Sequence, residues 1–365
     1  MSARLGVGVI GAGVISTQYL ENLTRFPVLE VVFVADLDLE RARSQAEAFS
    51  IPGHGSVEQL LADPRVDLVV NLTIPAAHVE VGLAAIAAGK HVWGEKPLAL
   101  DRESGRALLD AARAAGVRVA SAPDTFLGAG LQTARRLIDA GAIGTPLTAV
   151  TLFQTPGPES WHPSPEFLFA RGGGPLFDVG PYYLYALFQQ FGPVARVAAA
   201  GSTAHERRTI GSGPKAGTSF PVEVPTHIGA TLWFESGASA QSVFSFESHR
   251  RRAGFVEISG STGTLVFPDP NNFDGDIEIW RAGADGPETV PATGATSTRG
   301  TGVAELAEAI IAGRPERAAG DLAYHLVDVM VSLSEAAASG RIVAVSSSFA
   351  PVPLLPEDWD PTRAA

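Results

Sequence analysis

The 365-residue sequence predicts an α/β chain in two parts: an N-terminal doubly wound parallel sheet, then an α+β domain on a large, mostly antiparallel open sheet. Three observations predict this. Short apolar runs alternate with helical patterns up to about residue 122. Beyond it, longer alternating runs follow one another with few helices between them. The chain is also long for one hydrophobic core, so two domains are expected, 1–122 and 123–365.

The first element, Leu5–Ile10, reads as a buried strand. It leads into Gly11-Ala12-Gly13-Val14-Ile15-Ser16 and a helical pattern that runs to Phe26. A dinucleotide grip needs a glycine for the tight turn and a second where backbone approaches the pyrophosphate. It also needs a small third residue where helix meets strand. Gly11, Gly13 and Ser16 fill these places. A literal G-x-G-x-x-G at Gly6, Gly8 and Gly11 has no strand before it and opens no helix, so it is set aside. The helix after Gly13 aims free N–H groups and its positive dipole end at phosphates. Residues 28–35 form the second strand, and Asp36 closes it twenty positions after Ser16. A carboxylate there accepts both hydroxyls of the adenosine ribose and repels a 2′-phosphate. Arg41 and Arg43 fall in the next helix and no basic residue adjoins Asp36 on the strand, so NAD is expected over NADP. This half therefore reads as a Rossmann domain.

Helical patterns at 40–49 and 56–62 precede a strand at 67–71. The segment from Thr73 to His78 turns into a helix through Ala88, stopped by Gly89. A strand at 91–93, the tripeptide Glu95-Lys96-Pro97, an Asp101-capped helix to Ala115 and a strand at 117–120 complete a sheet of about six strands. A helix at 127–140 bridges to strands at 147–155, 194–201, 227–235, 238–246, 255–259, 264–267 and 277–280. A helix at 178–190 is expected to cover one face of their sheet. Residues 282–301 read as a surface loop, and helices at 303–312 and 321–339 precede a proline-rich tail.

Composition narrows the function. No cysteine is present, which removes disulfides, thiolate zinc sites and a cysteine nucleophile. No His and carboxylate grouping has metal-ligand spacing, so no metal is expected. A net charge of −12 argues against nucleic acid as a partner. With no apolar run long enough for a bilayer and no leader pattern at residues 1–4, the expectation is a cytoplasmic protein with no membrane partner.

Glu95-Lys96-Pro97, placed directly after a strand of the nucleotide-binding half, resembles the Gfo/Idh/MocA family of sugar and cyclitol oxidoreductases. A second match is Gly172-Gly173-Gly174-Pro175-Leu176-Phe177-Asp178-Val179-Gly180-Pro181-Tyr182, similar to that family's triple-glycine loop and catalytic-site segment. The resemblance covers nearly the whole chain. It implies that Lys96 reaches the reacting hydroxyl, that Asp178 holds the sugar, and that Tyr182 stands where the family usually has histidine. It adds Thr73, Pro75, His78, Glu95 and Lys96 to a cofactor-binding set of Gly11, Gly13, Val14, Ile15 and Asp36.

Oxidising a secondary alcohol needs a hydride acceptor and a base for the hydroxyl proton. A phenol beside the Lys96 ammonium would be pushed towards phenolate, so Tyr182 is a candidate base; core packing is its plainer role. Trp161 and His162, in a stretch rich in Pro and Gly, are candidate substrate contacts, with His162 or Lys96 an alternative base. His325 and Asp328 stand at i, i+3, as on any helix surface. His249-Arg250-Arg251-Arg252 reads as a solvated turn or a subunit contact. The expected activity is NAD-dependent hydride transfer at a secondary hydroxyl of a sugar, glycoside or cyclitol, by a homodimer or homotetramer. Two alternatives stand beside it: a redox-neutral enzyme with tightly bound nicotinamide, and a non-catalytic NAD-binding sensor.

Overall fold

The structure, a computed structural model, describes residues 4–363. Its elements in chain order begin with β1 (Leu5–Ile10), α1 (Val14–Leu23), β2 (Leu29–Ala35), α2 (Leu39–Ala48), β3 (Gly53–Gly55), α3 (Val57–Ala62) and β4 (Leu68–Asn71). Next come α4 (His78–Ala87), β5 (His91–Gly94), α5 (Arg102–Ala115) and β6 (Val119–Ser121). The six strands are parallel in the order β3-β2-β1-β4-β5-β6. Every residue of β1 and β4 is buried, as a strand covered on both faces requires. Strand order reverses between β1 and β4, the switch point where such sheets open a crevice at the strand C-termini.

Local chemistry sets most boundaries. Asp38 caps α2, Ser56 and Gln59 form a capping box on α3, and Asp101 caps α5, which ends at Gly116 with φ 68°. Helix α1 stops at Leu23 rather than Phe26, and Phe26 is buried beneath the turn that follows. β3 was not foreseen: Gly53-His54-Gly55 carries no alternating apolar pattern, and what admits it is the absence of a Cβ. One placed on Gly53 would lie 2.7 Å from the Val32 carbonyl oxygen.

The chain continues through α6 (Ala129–Asp139), β7 (Pro146–Gln154), α7 (Gly174–Asp178), α8 (Gly180–Phe191), β8 (Val194–Ser202), β9 (Arg207–Thr209) and β10 (Ser219–Pro221). It then forms β11 (His227–Phe234), β12 (Ser239–Ser245), β13 (Arg252–Gly260), β14 (Gly263–Val266), β15 (Ile277–Arg281) and β16 (Glu288–Val290). α9 (Thr301–Ala312), α10 (Gly320–Ser339) and β17 (Val343–Ala344) close it. A nine-stranded sheet runs β16-β15-β14-β13-β7-β12-β11-β8-β17, antiparallel throughout except between β7 and β12. α8 is buried almost along its whole length on one face, with Tyr183 edge-on to Phe153 and Phe244 and Phe191 against Phe234.

Three expectations change here. The covering helix begins at Gly180, because Asp178 belongs to a separate short helix. The expected loop at 282–301 holds β16, and the hairpin β9–β10 lies in a stretch with no strand pattern. The chain packs as two compact units. Unit 1 takes residues up to Ala129, Gly294–Val327 and from Val352; unit 2 takes Gly130–Thr293 and Asp328–Pro351. This division is discontinuous, whereas the expected one was a single cut after 122. Among the described residues, no helix is long and apolar enough to cross a membrane.

Candidate active site

In unit 1 the groups expected to bind the cofactor gather at the C-terminal ends of β1, β2, β4 and β5. Gly11 has φ 102°, and a Cβ there would lie 2.7 Å from the Leu72 carbonyl oxygen. Only glycine fits this turn. Around Gly13 the space is open, with nothing within 4 Å of a would-be Cβ, and no side chain caps the α1 N-terminus. A pyrophosphate can therefore approach the backbone and the helix dipole together. Ser16 is fully buried and its hydroxyl donates to the Gly13 carbonyl at 2.6 Å. Val14 is 93 % exposed and Ile15 is half-buried, both beside that opening.

Asp36 ends β2 as expected. One carboxylate oxygen accepts the Ala12 N–H at 2.7 Å and the other the Asp38 N–H at 2.8 Å, so the carboxylate is oriented by backbone on both sides. Arg41 sits in α2 as expected, and its guanidinium comes within 3.9 Å of Asp36. The arginine is half-exposed, which leaves the pair weak. These residues fit an NAD-type nucleotide: an open glycine turn, an uncapped helix start and a fixed carboxylate.

At the end of β4, Asn71 accepts from the Thr73 N–H and hydroxyl at 3.2 and 2.7 Å and donates to the His78 carbonyl at 3.0 Å. This fixes the turn holding Thr73 and Pro75. His78 is 3 % exposed, and its ring nitrogens face the carbonyls of Pro97 at 2.7 Å and Thr73 at 3.0 Å. Expected as a cofactor contact, it instead ties the Thr73 turn to the Glu95-Lys96-Pro97 turn. Burial pushes its pKa down against the pull of those two carbonyls. Lys96 is half-buried; its N–H donates to the Glu95 carboxylate at 3.0 Å, and the Glu95 N–H donates to the Asn71 carbonyl at 2.9 Å. The other Glu95 oxygen accepts the Tyr19 hydroxyl at 2.7 Å, and Tyr19 accepts the Trp93 indole N–H at 3.3 Å. Nothing in the sequence flags Tyr19. It reads as one more apolar residue of α1 and lies 76 positions from its partner.

Unit 2 holds the remaining expected site residues. Asp178 is the last residue of α7 and Tyr182 lies in the first turn of α8, where the Tyr182 N–H donates to the Val179 carbonyl at 3.2 Å. Asp178 is half-buried and does not cap α8, whose N-cap is Val179. Tyr183 and Tyr185 are core residues, their phenols pushed up by burial. Trp161 is 67 % exposed on an irregular stretch, with its ring edge-on to His162, which is in turn edge-on to Phe167. His162 Nδ1 accepts the Ser164 N–H at 3.0 Å, so in the neutral ring the proton sits on Nε2. That tautomer presents a donor, not a base.

Arg208, 7 % exposed, bridges Glu159 and Glu247 at the wall of a cavity of about 450 Å³ that His205 and His249 also line. Thr226 and Arg208 hold the Glu247 carboxyl below its usual range although burial works the other way. Of the basic run, Arg250 and Arg251 are exposed and Arg252 joins β13, donating to Gln154 at 3.1 Å. His325 and Asp328 are both fully buried, not on a helix surface, and Asp328 accepts the Ser346 and Ser347 N–H groups at 3.0 and 2.9 Å.

The chain is similar to known proteins. Residues 5–122 match the profile described as an oxidoreductase family with an NAD-binding Rossmann fold, and 131–266 match the GFO/IDH/MocA C-terminal domain. The chain is 37 % identical over 161 residues to inositol 2-dehydrogenase 3 of Saccharopolyspora erythraea, covering 43 % of this chain and 47 % of that one. It is 31 % identical over 266 residues to 1,5-anhydro-D-fructose reductase of Ensifer adhaerens, covering 71 % and 74 %. Among solved structures, an NAD binding oxidoreductase from Klebsiella pneumoniae superposes with TM-score 0.80 at 26 % identity over 95 % of this chain and 100 % of that one. Aldose-aldose oxidoreductase from Caulobacter crescentus gives 0.79 at 25 % over 93 % and 99 %. Levoglucosan dehydrogenase in complex with NADH and L-sorbose shares the fold, at 0.83 and 22 % identity over 94 % and 100 %. With the glycine turn, the Glu-Lys-Pro turn and both domain profiles in one chain, residues 5–122 form an NAD-binding Rossmann domain and the chain belongs to the Gfo/Idh/MocA oxidoreductase family.

Proposed function

We propose that the protein transfers a hydride between a secondary hydroxyl of a sugar, glycoside or cyclitol and the nicotinamide of NAD. The observation that carries this is the Lys96 turn, braced at the end of β5 in the same cluster as the open Gly13 turn and Asp36. Inositol 2-dehydrogenase and 1,5-anhydro-D-fructose reductase, named for a cyclitol and a sugar derivative, support the substrate class. Gly11, Gly13, Val14, Ile15 and Asp36 hold the adenosine and pyrophosphate; Thr73, Pro75, Glu95 and Lys96 form the nicotinamide end. When bound, the nicotinamide accepts the hydride or returns it. Lys96 orients the reacting hydroxyl by donating to its oxygen. Tyr182 takes the proton as the C–H bond breaks, in the role of general base. Asp178 accepts from a neighbouring hydroxyl and fixes the ring. His162 donates through Nε2, and Trp161 offers an apolar face to the sugar.

Asp36 makes NAD the preferred cofactor over NADP. A panel of cyclitols, aldoses and anhydrosugars, followed by NADH absorbance at fixed NAD, tests the reading; no absorbance change with any polyol overturns it. The likeness to an aldose-aldose oxidoreductase supports a second reading, in which nicotinamide stays bound and two sugars alternate on it. Nicotinamide that travels with the protein through gel filtration would select that reading. Assembly is proposed as a homodimer or homotetramer through the open sheet face. Val150 and Trp280 are exposed there, and the register Thr148, Ser259, Thr264, Trp280 puts both on the same side.

A further inference from the structure

Tyr19 is a buried titratable group with no part in the chemistry above. It sits six residues after Gly13 on α1, the helix whose uncapped start faces the proposed pyrophosphate site. Its hydroxyl proton goes to Glu95, and its oxygen takes the Trp93 indole N–H. Glu95 uses its second oxygen on the Lys96 N–H. Trp93 is itself immobile: it is fully buried, and a Cβ on Gly302 would lie 2.1 Å from the indole ring. Gly302 is fixed in turn, since Asp124 accepts the Gly300 and Gly302 N–H groups at 2.9 and 3.1 Å at the start of α9. A hydrogen-bonded strut thus runs from the pyrophosphate-facing helix to the backbone of the lysine.

We infer that Tyr19 is a positioning residue for Lys96: the phenol locks the Glu95 carboxylate in the one rotamer that also holds the Lys96 backbone. The inference rests on the dehydrogenase reading for the lysine's task, though not for its placement. Burial, with Glu95 and then Asp124 behind it, raises the Tyr19 pKa well above the usual phenol range, so the hydroxyl stays a donor. No proton transfer is assigned to it. Without that donor the carboxylate is free to rotate, and the turn at Lys96 loses its register with the cofactor helix.

Tyr19→Phe removes the hydroxyl and keeps the ring. Glu95→Gln serves as a second variant, because the amide replaces one of the two oxygens that accept from Tyr19 and the Lys96 N–H with a donor NH₂. In Tyr19→Phe, kcat for a polyol substrate is expected to fall about tenfold or more at nearly unchanged KM and NAD Kd, as for a misplaced reacting group. The second readout needs no turnover. The chain has three lysines, Lys90, Lys96 and Lys215, so ¹³C-dimethylation gives three side-chain signals beside the N-terminal amine, with Lys96 identified by Lys96→Arg. In the NAD-bound protein the Lys96 titration midpoint should move in both variants while those of Lys90 and Lys215 stay. A Lys96 midpoint unchanged in Tyr19→Phe overturns the inference, as does a loss of kcat in that variant only in proportion to lost NAD affinity. If wild type oxidises no polyol, the functional reading fails, and the titration still decides the strut.

Discussion

The two units hold their chemistry-bearing groups in different ways. In unit 1, Asp36, Asn71, His78 and Glu95 are each tied by two or more hydrogen bonds, most of them to backbone, at the ends of parallel strands. In unit 2, Trp161 and His162 ride on an irregular stretch between β7 and α7, packed ring on ring, and Asp178 and Tyr182 flank the break between two helices. Backbone hydrogen bonds leave side chains little freedom, while aromatic edge contacts tolerate repacking. On the proposed reading, the first arrangement suits one unvarying cofactor, and the second lets sugar contacts change without refolding the sheet.

The largest effect should come from the rigid side. Lys96→Ala is expected to cut turnover by about 10²- to 10⁴-fold, the range for groups that orient or move a proton, with NAD affinity nearly intact. Lys96→Arg should not restore it, because a planar guanidinium that stays charged has a different shape and reach. Stopped-flow turnover with NAD titration by calorimetry separates the two quantities. A parallel loss of NAD binding would show that the Lys96 turn serves the cofactor alone.

On the adaptable side, Tyr182→Phe should lower kcat by about 10²-fold and remove the limb of the pH profile that reports the base. His162→Gln should raise KM instead, since its free nitrogen is a donor and not an acceptor. If His162→Gln abolishes the limb and Tyr182→Phe does not, the base belongs to the irregular stretch and Tyr182 is a packing residue.

Next in size is cofactor choice. Asp36→Ser is expected to weaken NAD by about 10- to 100-fold, the consequence of losing hydrogen bonds to a charged acceptor. NADP should weaken less or gain, because Arg41 already lies within 3.9 Å and would be released to meet a phosphate. Equal loss of both cofactors would mean that Asp36 acts only as a brace for Ala12 and Asp38.

The same contrast decides what could be read in advance. Gly11, Gly13, Ser16 and Asp36 could be placed in advance because their positions are fixed by spacing along one strand-turn-helix. Alternating apolar residues likewise gave all seven long strands of the second sheet, since a sheet covered on one face imposes period two. β3 and the β9–β10 hairpin escaped, being three-residue pairings set by their neighbours rather than by their own pattern. Tyr19 escaped because its polar tip meets a residue 76 positions away. Arg41 lies in the next helix as expected, and its 3.9 Å approach to Asp36 is a side-chain contact that position in the chain does not reveal. His78 was recognised as belonging to the turn, but only its burial shows that it holds the turn from behind.

The smallest expected effect tests that last point. Burial, the main influence on His78, lowers its folded-state pKa below the ordinary 6.5, opposed by the Pro97 and Thr73 carbonyls and by Glu95, with Lys96 adding to the lowering. Between the folded and unfolded values the unfolded chain binds a proton that the folded chain does not. Stability therefore rises with pH through that window and is lost as pH falls below about 6.5. His91, half-buried and lowered first by burial and then by Arg118, acts in the same direction, so some acid sensitivity remains without His78. His78→Gln keeps a donor for one carbonyl and cannot take up a charge. At pH 8 the variant should melt below wild type, because the amide does not fill the space of the buried ring. By pH 5.5 that gap should narrow by on the order of 2 °C, because only wild type carries the cost of the second protonation. A gap that stays constant from pH 8 to 5.5 would place the His78 proton outside the folding equilibrium and leave the two-turn clamp as a neutral packing contact.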